Sequence, residues 1–416
     1  MVKNRNIPKE IPAKADYSGI YNKILIGIFA VFIILITTFR ISGDDDLFWH
    51  LEIGKYVIEN RSVPSTDVFS FSTLGQEWIP FEWGWDVLNY LVYSIGGYAS
   101  ISILRTIFFL LMFYFFYKSA GRLKLNPVIS AIVFLLLVFG ILDRLLIKPQ
   151  VSSFVFFSII IYVFLDHKYS AAGSKKIYFL PLVFLFWVNM HMGVLAGIAL
   201  FGIFVLAEFI TNLKPEFFSV SRDLAASKKQ FISLLTVFAI SLIVLLLNPH
   251  GIHTFTYVYS HLQMKMIEDV FEWRSPFNQL FDGTIFRYVY IAFLGGALFI
   301  LYYSYKKKDL FTGLLTAVFT VYSFRSGRFS IDFMIITSVF LIIALNYFTA
   351  GQERSNLNNG ILSNPALKIV LIILLAASAV SLPLNGLYKL LNFERASGFG
   401  VERTKLSGKC REFLKN

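Results

Sequence analysis

The sequence predicts an all-α protein, a polytopic bundle of transmembrane helices. Of its 416 residues, 56% are hydrophobic and only 15% are charged, with a mean hydropathy of +0.65. A soluble domain covers its surface with about 25% charged residues. The apolar residues gather into repeated runs that approach the ~20 residues needed to cross a hydrocarbon core. These runs lack the short alternation of barrel strands, and backbone groups in lipid must be satisfied within their own segment, so each run is a helix.

Taken in order, residues 1–23 form a polar, basic tail, read as cytoplasmic, before an uncleaved first span at Ile24–Phe39. A polar, aromatic-rich loop at 40–99 follows. Its mixed stretch Trp85–Gly97 is too short and too polar to cross and is expected to lie at the interface. Further apolar runs fall at Ser100–Tyr117, Val128–Leu142, Val151–Leu165, Ile177–Asn189, Gly193–Leu213, Phe231–Leu247, Phe286–Tyr303, Leu310–Phe324, Phe329–Phe348 and Ala366–Leu384. The expectation is about eleven spans over residues 24–385, followed by a basic tail at 386–416.

Lysine and arginine in the short connections set orientation. The first tail carries five, and alternate connections near 118–126, 166–176, 213–230, 305–309 and 349–368 carry three, three, four, three and two. That places the amino terminus inside. The last tail adds seven cations on the other side, so it is either a translocated extension or a sign that the span count is off by one. The inner connections read as solvated basic and polar residues. The unusual polar clusters all fall outside, so any chemistry is expected to be extracytoplasmic, in a bacterial inner or plasma membrane.

The net charge of +12 does not point to nucleic acid, because the cations are dispersed among apolar runs and form no continuous basic face. Anionic membrane lipid and topology account for them. The lone cysteine, Cys410, rules out an intrachain disulfide or a cysteine metal cluster. There is no Walker loop, dinucleotide fingerprint, serine elbow or zinc motif. Nothing names a protein partner.

The outer clusters begin with Asp44, Asp45 and Asp46 in DDDLFWH. One aspartate would serve as a helix start. Three in a row repel one another and suit a bound cation, a basic partner or proton transfer. On a helix starting there, Asp46 and His50 share a face, as do Asp45 and Trp49. A carboxylate at Asp44 or Asp46 could accept a proton from a hydroxyl attacking a sugar carbon. A divalent cation on Asp44, Asp46 and His50 is a weaker possibility, since oxygen-preferring metals rarely need histidine; no other cofactor is implied.

Trp49, Trp78, Trp83 and Trp85 fit an aromatic belt at the bilayer surface or a platform for a sugar or isoprenoid, and the two are compatible. Arg144 and Lys148, then Arg325 and Arg328 in SFRSGRF, sit at span ends where cations snorkel. Four cations on the outer face run against the positive-inside bias, and guanidinium groups suit bidentate binding of phosphate. His191 in WVNMHMG marks the outer turn of a helical hairpin, with a structural or an active-site role. NPHG at 248–251 is a helix stop. Glu268, Asp269 and Glu272 are candidate second acids.

The stretches DDDLFWHLEIG, PSTDVFSFS, QEWIPFEW, RLLIKPQ, WVNMH, NPHG, FEW and SFRSGRF, spread over residues 40 to about 330, resemble uncharacterised bacterial membrane proteins of the GT-C class, the polytopic glycosyltransferases. The resemblance implies an inverting transfer of a sugar from a polyprenyl-phosphate donor to an outer glycan, lipid or protein acceptor. In that role Asp44 or Asp46 is the base, Arg144, Lys148, Arg325 and Arg328 hold the donor phosphate, and Trp49, His50, Glu82, His191 and Glu272 contact substrate. This chain departs from the class in lacking a large outer carboxy-terminal domain. The rival expectations are a non-enzymatic transporter or assembly component for envelope polysaccharide, and a polymerase or ligase of lipid-linked glycans.

Overall fold

A computed structural model describes residues 18–41, 46–170, 173–214, 217, 228–265, 269–353 and 364–402. Among these the regular structure is all helical, with isolated bridging pairs and no strands. Its helices are α1 (Ser18–Thr37), α2 (Asp46–Asn60), α3 (Trp83–Arg122), α4 (Pro127–Gly140), α5 (Gln150–Lys168), α6 (Leu180–Val188), α7 (Val194–Leu213) and α8 (Lys228–Val244). After these come α9 (His253–His261), α10 (Ile285–Lys307), α11 (Leu310–Ser323), α12 (Gly327–Glu353), α13 (Pro365–Ser381) and α14 (Gly386–Leu390).

Every apolar run expected to span falls on helix, but the lengths divide them. Six described helices, α1, α3, α5, α7, α10 and α12, are long and apolar enough to cross a membrane. The helices α4, α8, α11 and α13 are apolar but have 10–17 residues, and the 177–189 run is split between a 3-10 turn and the nine-residue α6. The long helices differ in depth. α5 and α12 bury 83% and 78% of their most apolar stretch, against 22% for α1. They therefore form the centre, with α3, α4, α7, α10 and α11 packed around them and the α1–α13 pair at one edge. This ordering places α5, which begins after Lys148, and α12, which begins after Arg325, in the middle of the bundle.

The interface helix expected at 85–97 is not a separate element. It is the first part of α3, which bends where Gly96 and Gly97 leave helical geometry, Gly97 at φ +60°. The Ser100 hydroxyl donates to the carbonyls of Val92 and Gly97 and bridges the bend.

The expectation of solvated inner connections also changes. At the end of the bundle away from residues 46 and 148, buried acids take up the cations: Arg122 Nε lies 2.8 Å and Lys176 Nζ 3.0 Å from Asp166, and Lys168 pairs with Asp309 at 2.5 Å. Asp309 also caps α11 through Thr312. These cations close the helix ends.

The tail after α13 folds back onto the other end. Tyr388 donates to the Ile36 carbonyl at 2.9 Å, Arg395 donates to the Leu142 carbonyl at 2.8 Å, and Phe39 bridges to Ser397. Residues 386–402 therefore sit at the same end as residues 39 and 142. Residues 403–416 lie outside the described residues.

Candidate functional site

The site begins with the crossing of α2 and α3. Gly54 makes this crossing close, because a β-carbon there would stand 2.2 Å from the Asp86 carbonyl oxygen. One turn earlier on the same face of α2, His50 Nδ1 meets Asp86 Oδ1 at 2.6 Å. A Gly54→Ala variant is expected to push α2 off α3 and lose that pair. Histidine NMR should then show His50 moving toward its ordinary pKa; an unchanged His50 titration would remove this account of the crossing.

The start of α3 is pinned in a second place. Trp83 Nε1 donates to Asn189 Oδ1 at 2.8 Å, and Gly84 N donates to the Asn189 carbonyl at 2.8 Å. Again only glycine fits, since a β-carbon at Gly84 would lie 2.6 Å from that oxygen. These bonds hold Glu82, immediately before the helix, over the α6–α7 turn that carries His191.

Between these elements lies a cavity of about 970 Å³. Asp46, Trp49, His50 and Glu82 line one wall, and Lys148, His191, Glu272, Arg325 and Arg328 reach it from the others. Nine of the eleven sequence candidates thus share one space. Asp46 and Lys148, 102 positions apart in sequence, bond at 2.6 Å. Arg144 is not on the cavity surface; it is buried behind it, paired with Glu272, whose other oxygen is 3.6 Å from Arg328. Asp44 lies outside the described residues, as do Asp45 and Glu268. Among the described residues no group of three or more histidine, cysteine or acidic side chains is arranged to hold a metal ion, and His50 spends Nδ1 on Asp86.

The carboxylates of the cavity differ in their partners. Partial burial pushes the Asp46 carboxyl up, but the Lys148 bond and the charges of Lys148, His50 and Arg328 outweigh it and hold Asp46 below its ordinary value. The Glu82 carboxylate accepts no hydrogen bond from the described residues; its nearest cation-capable neighbour is His191 Nε2, at 3.7 Å. Desolvation pushes the Glu82 carboxyl up to about 7, against the opposing charges of His50 and Arg328.

The histidines also divide. Burial works against a charged His50, but the Asp86 bond and the nearby Glu82 and Asp46 raise it overall. Burial and Arg328 hold His191 well below its ordinary value, so it is neutral. His191 Nδ1 accepts from Gly193 N at 3.0 Å and lies 2.7 Å from Ser153 Oγ, itself fixed by Trp187 Nε1. Nδ1 is thus an acceptor, while Nε2 lies 3.3 Å from a guanidinium nitrogen of Arg328, which can only donate, and 3.7 Å from Glu82.

The tryptophans separate into three jobs. Trp49, Trp78 and Phe69 form an edge-to-face cluster at 5.2–6.2 Å that reaches the cavity. Trp83 is a tether, and Trp85 is core, edge-on to Phe108 at 5.3 Å. The NPHG stretch is a helix stop: Asn248 Nδ2 donates to the Leu245 and Gly251 carbonyls, and Oδ1 accepts from His250 N and Thr254.

No protein-family model matches the chain, and no curated protein matches it. The site must therefore speak for itself. Two of its members were not singled out in the sequence, Asp86 and Asp332, which accepts from the Tyr322 hydroxyl at 3.2 Å; Trp273 of the FEW stretch has its ring under Arg328 at 5.2 Å. Asp332 carried a usable signal, as an acid inside an apolar run is expensive and usually functional.

Proposed function

We propose that this protein is a membrane glycosyltransferase that takes a sugar from a polyprenyl-phosphate donor and passes it, with inversion, to a hydroxyl acceptor. In this reading the bundle is GT-C-like. The short apolar helices of 14–17 residues rise about 21–26 Å, below the ~30 Å core, and cross only with their flanking residues, giving about eleven spans together with the broken 175–188 segment.

One observation supports this most: proton-accepting carboxylates and phosphate-binding cations, drawn from distant parts of the chain, line a single cavity. Arg325, Arg328 and Lys148 are the donor-phosphate ligands, and Arg144 acts behind them by holding Glu272. As the acceptor oxygen bonds to the anomeric carbon, the carbon–oxygen bond to phosphate breaks, and the departing phosphate takes its electron pair and negative charge toward those cations. The acceptor's proton passes to a carboxylate. Asp46 is engaged by Lys148 and is a weak base; Glu82 has no such partner, titrates near neutrality and is the better acceptor.

Incubation of the purified chain with polyprenyl-phosphate sugars should release free polyprenyl phosphate, and Arg328→Gln should slow that release about 10²-fold, the scale of one lost charge-stabilising donor. If no donor is consumed and vesicles containing the protein instead move intact lipid-linked glycan, the transporter reading takes its place.

A further inference from the structure

One pair of polar residues in the cavity wall has no part in the transfer scheme above. Tyr322 of α11 and Asp332 of α12 line it where these two helices pack together. Asp332 lies within a membrane-length apolar helix, a costly place for an acid without a task. The Tyr322 hydroxyl donates to Oδ2 at 3.2 Å, while Oδ1 takes no hydrogen bond from the described residues. Tyr322 is itself fixed, since its ring stacks on Phe329 at 4.2 Å and meets Phe319 edge-on at 5.6 Å. Arg328 stands four residues before Asp332, on the same face of α12. Its guanidinium is engaged elsewhere, 3.6 Å from Glu272 and 3.3 Å from His191. Among the described residues, then, a tyrosine holds Asp332 in place, no cation forms an ion pair with it, and one of its oxygens is left for the cavity.

We infer that Asp332 is a specificity-determining residue that accepts a hydrogen bond from one hydroxyl of the donor's sugar; this rests on the transferase reading above. With the donor phosphate at Arg328, the sugar bonded to it extends toward the next turn of α12. Residues four apart lie about 6 Å apart along a helix axis, close to the span of one sugar ring. Because Tyr322 occupies Oδ2, the carboxyl presents Oδ1 as an acceptor in a fixed direction. A sugar with a hydroxyl at that place satisfies it, and a sugar without one leaves it desolvated and unpaired. A site built to bond a substrate hydroxyl can reject the analogue lacking it by ~10⁴- to 10⁵-fold, whereas apolar shape alone discriminates by ~10- to 200-fold. Asp332 and its tyrosine therefore give this wall the means to choose among sugars on the same lipid phosphate.

The test uses the full chain in nanodiscs, a panel of polyprenyl-phosphate sugars, and the monodeoxy analogues of the sugar that the protein consumes. In the parent, one deoxy position should lower kcat/KM at least 10²-fold. Asp332→Leu should bring the intact donor down to the level of that analogue, so that the penalty at this one position disappears while the penalties at the others persist. If Asp332→Leu does not fold, Asp332→Asn keeps the volume with a neutral acceptor and should shrink the same penalty at least tenfold. A penalty unchanged in the variant, or a parent indifferent to every deoxy position, overturns the assignment and leaves the transferase reading standing. A variant that loses turnover equally with every donor assigns Asp332 to the fold or to the chemistry, and overturns it too. A parent that consumes no polyprenyl-phosphate sugar overturns the transferase reading, and the role of Asp332 falls with it.

Discussion

Replacing Glu82 by Gln is expected to reduce sugar transfer by about 10²- to 10⁴-fold, the range for loss of a positioned general base, with donor binding little changed. Asp46→Asn should cost less, because Asp46 is already committed to Lys148. In the parent protein, turnover should rise with pH through about 7 as the Glu82 carboxyl ionises, and this limb should be absent from the residual activity of Glu82→Gln. The same variant has an opposite effect on stability. The folded protein raises this carboxyl from 4.5 to about 7, so folding favours the protonated form. Its contribution is complete below pH 4.5 and is lost as pH rises to about 7. Above that, the buried anion costs about 3 kcal/mol at 1.36 kcal/mol per unit. Glu82→Gln should therefore raise Tm at pH 8 and leave it unchanged at pH 4. A variant that keeps full turnover, or one less stable than its parent at pH 8, would assign Glu82 to structure alone.

Glu272→Ala should be the most destabilising single change at the site, by about 3–5 kcal/mol, because it strands a buried guanidinium without its partner. Arg144 and Glu272 are only 10% and 18% exposed in their side chains. Burial and the facing charge of Arg328 lower Arg144 to about 10, which still leaves it charged at neutral pH. Without Glu272, two arginines repel across a water-poor space. Thermal unfolding in detergent would measure the loss. Pairing Glu272→Ala with Arg144→Met should recover most of it, since removing both charges removes the desolvation problem; a double variant no more stable than Glu272→Ala would show that Glu272 acts on something other than Arg144.

How far the sequence reached varies from residue to residue. The apolar runs were legible because a backbone in lipid has few options, and their helices appear where the runs lie. Asp46 and His50 were legible as a pair because four residues make one helical turn. Their partners were not. His50 bonds to Asp86 through Nδ1, and it does so because Gly54 lets two helices nearly touch at the backbone. No spacing rule announces such a contact. Trp85 and Trp49 look alike in sequence, but one is core and the other reaches the cavity.

By itself the sequence determined the class of the protein and its inventory: apolar helices in a fixed order, with most acids and cations gathered in and near their connections. Local composition and periodicity suffice for that, because they depend on neighbours within a few turns. Only the tertiary structure decided which connections meet, which cations line the cavity and which, like Arg144, stand behind it. It also separated Glu82 from Asp46, because a carboxylate's ionisation depends on the charges and solvent within several ångströms, and those are supplied by helices far away along the chain.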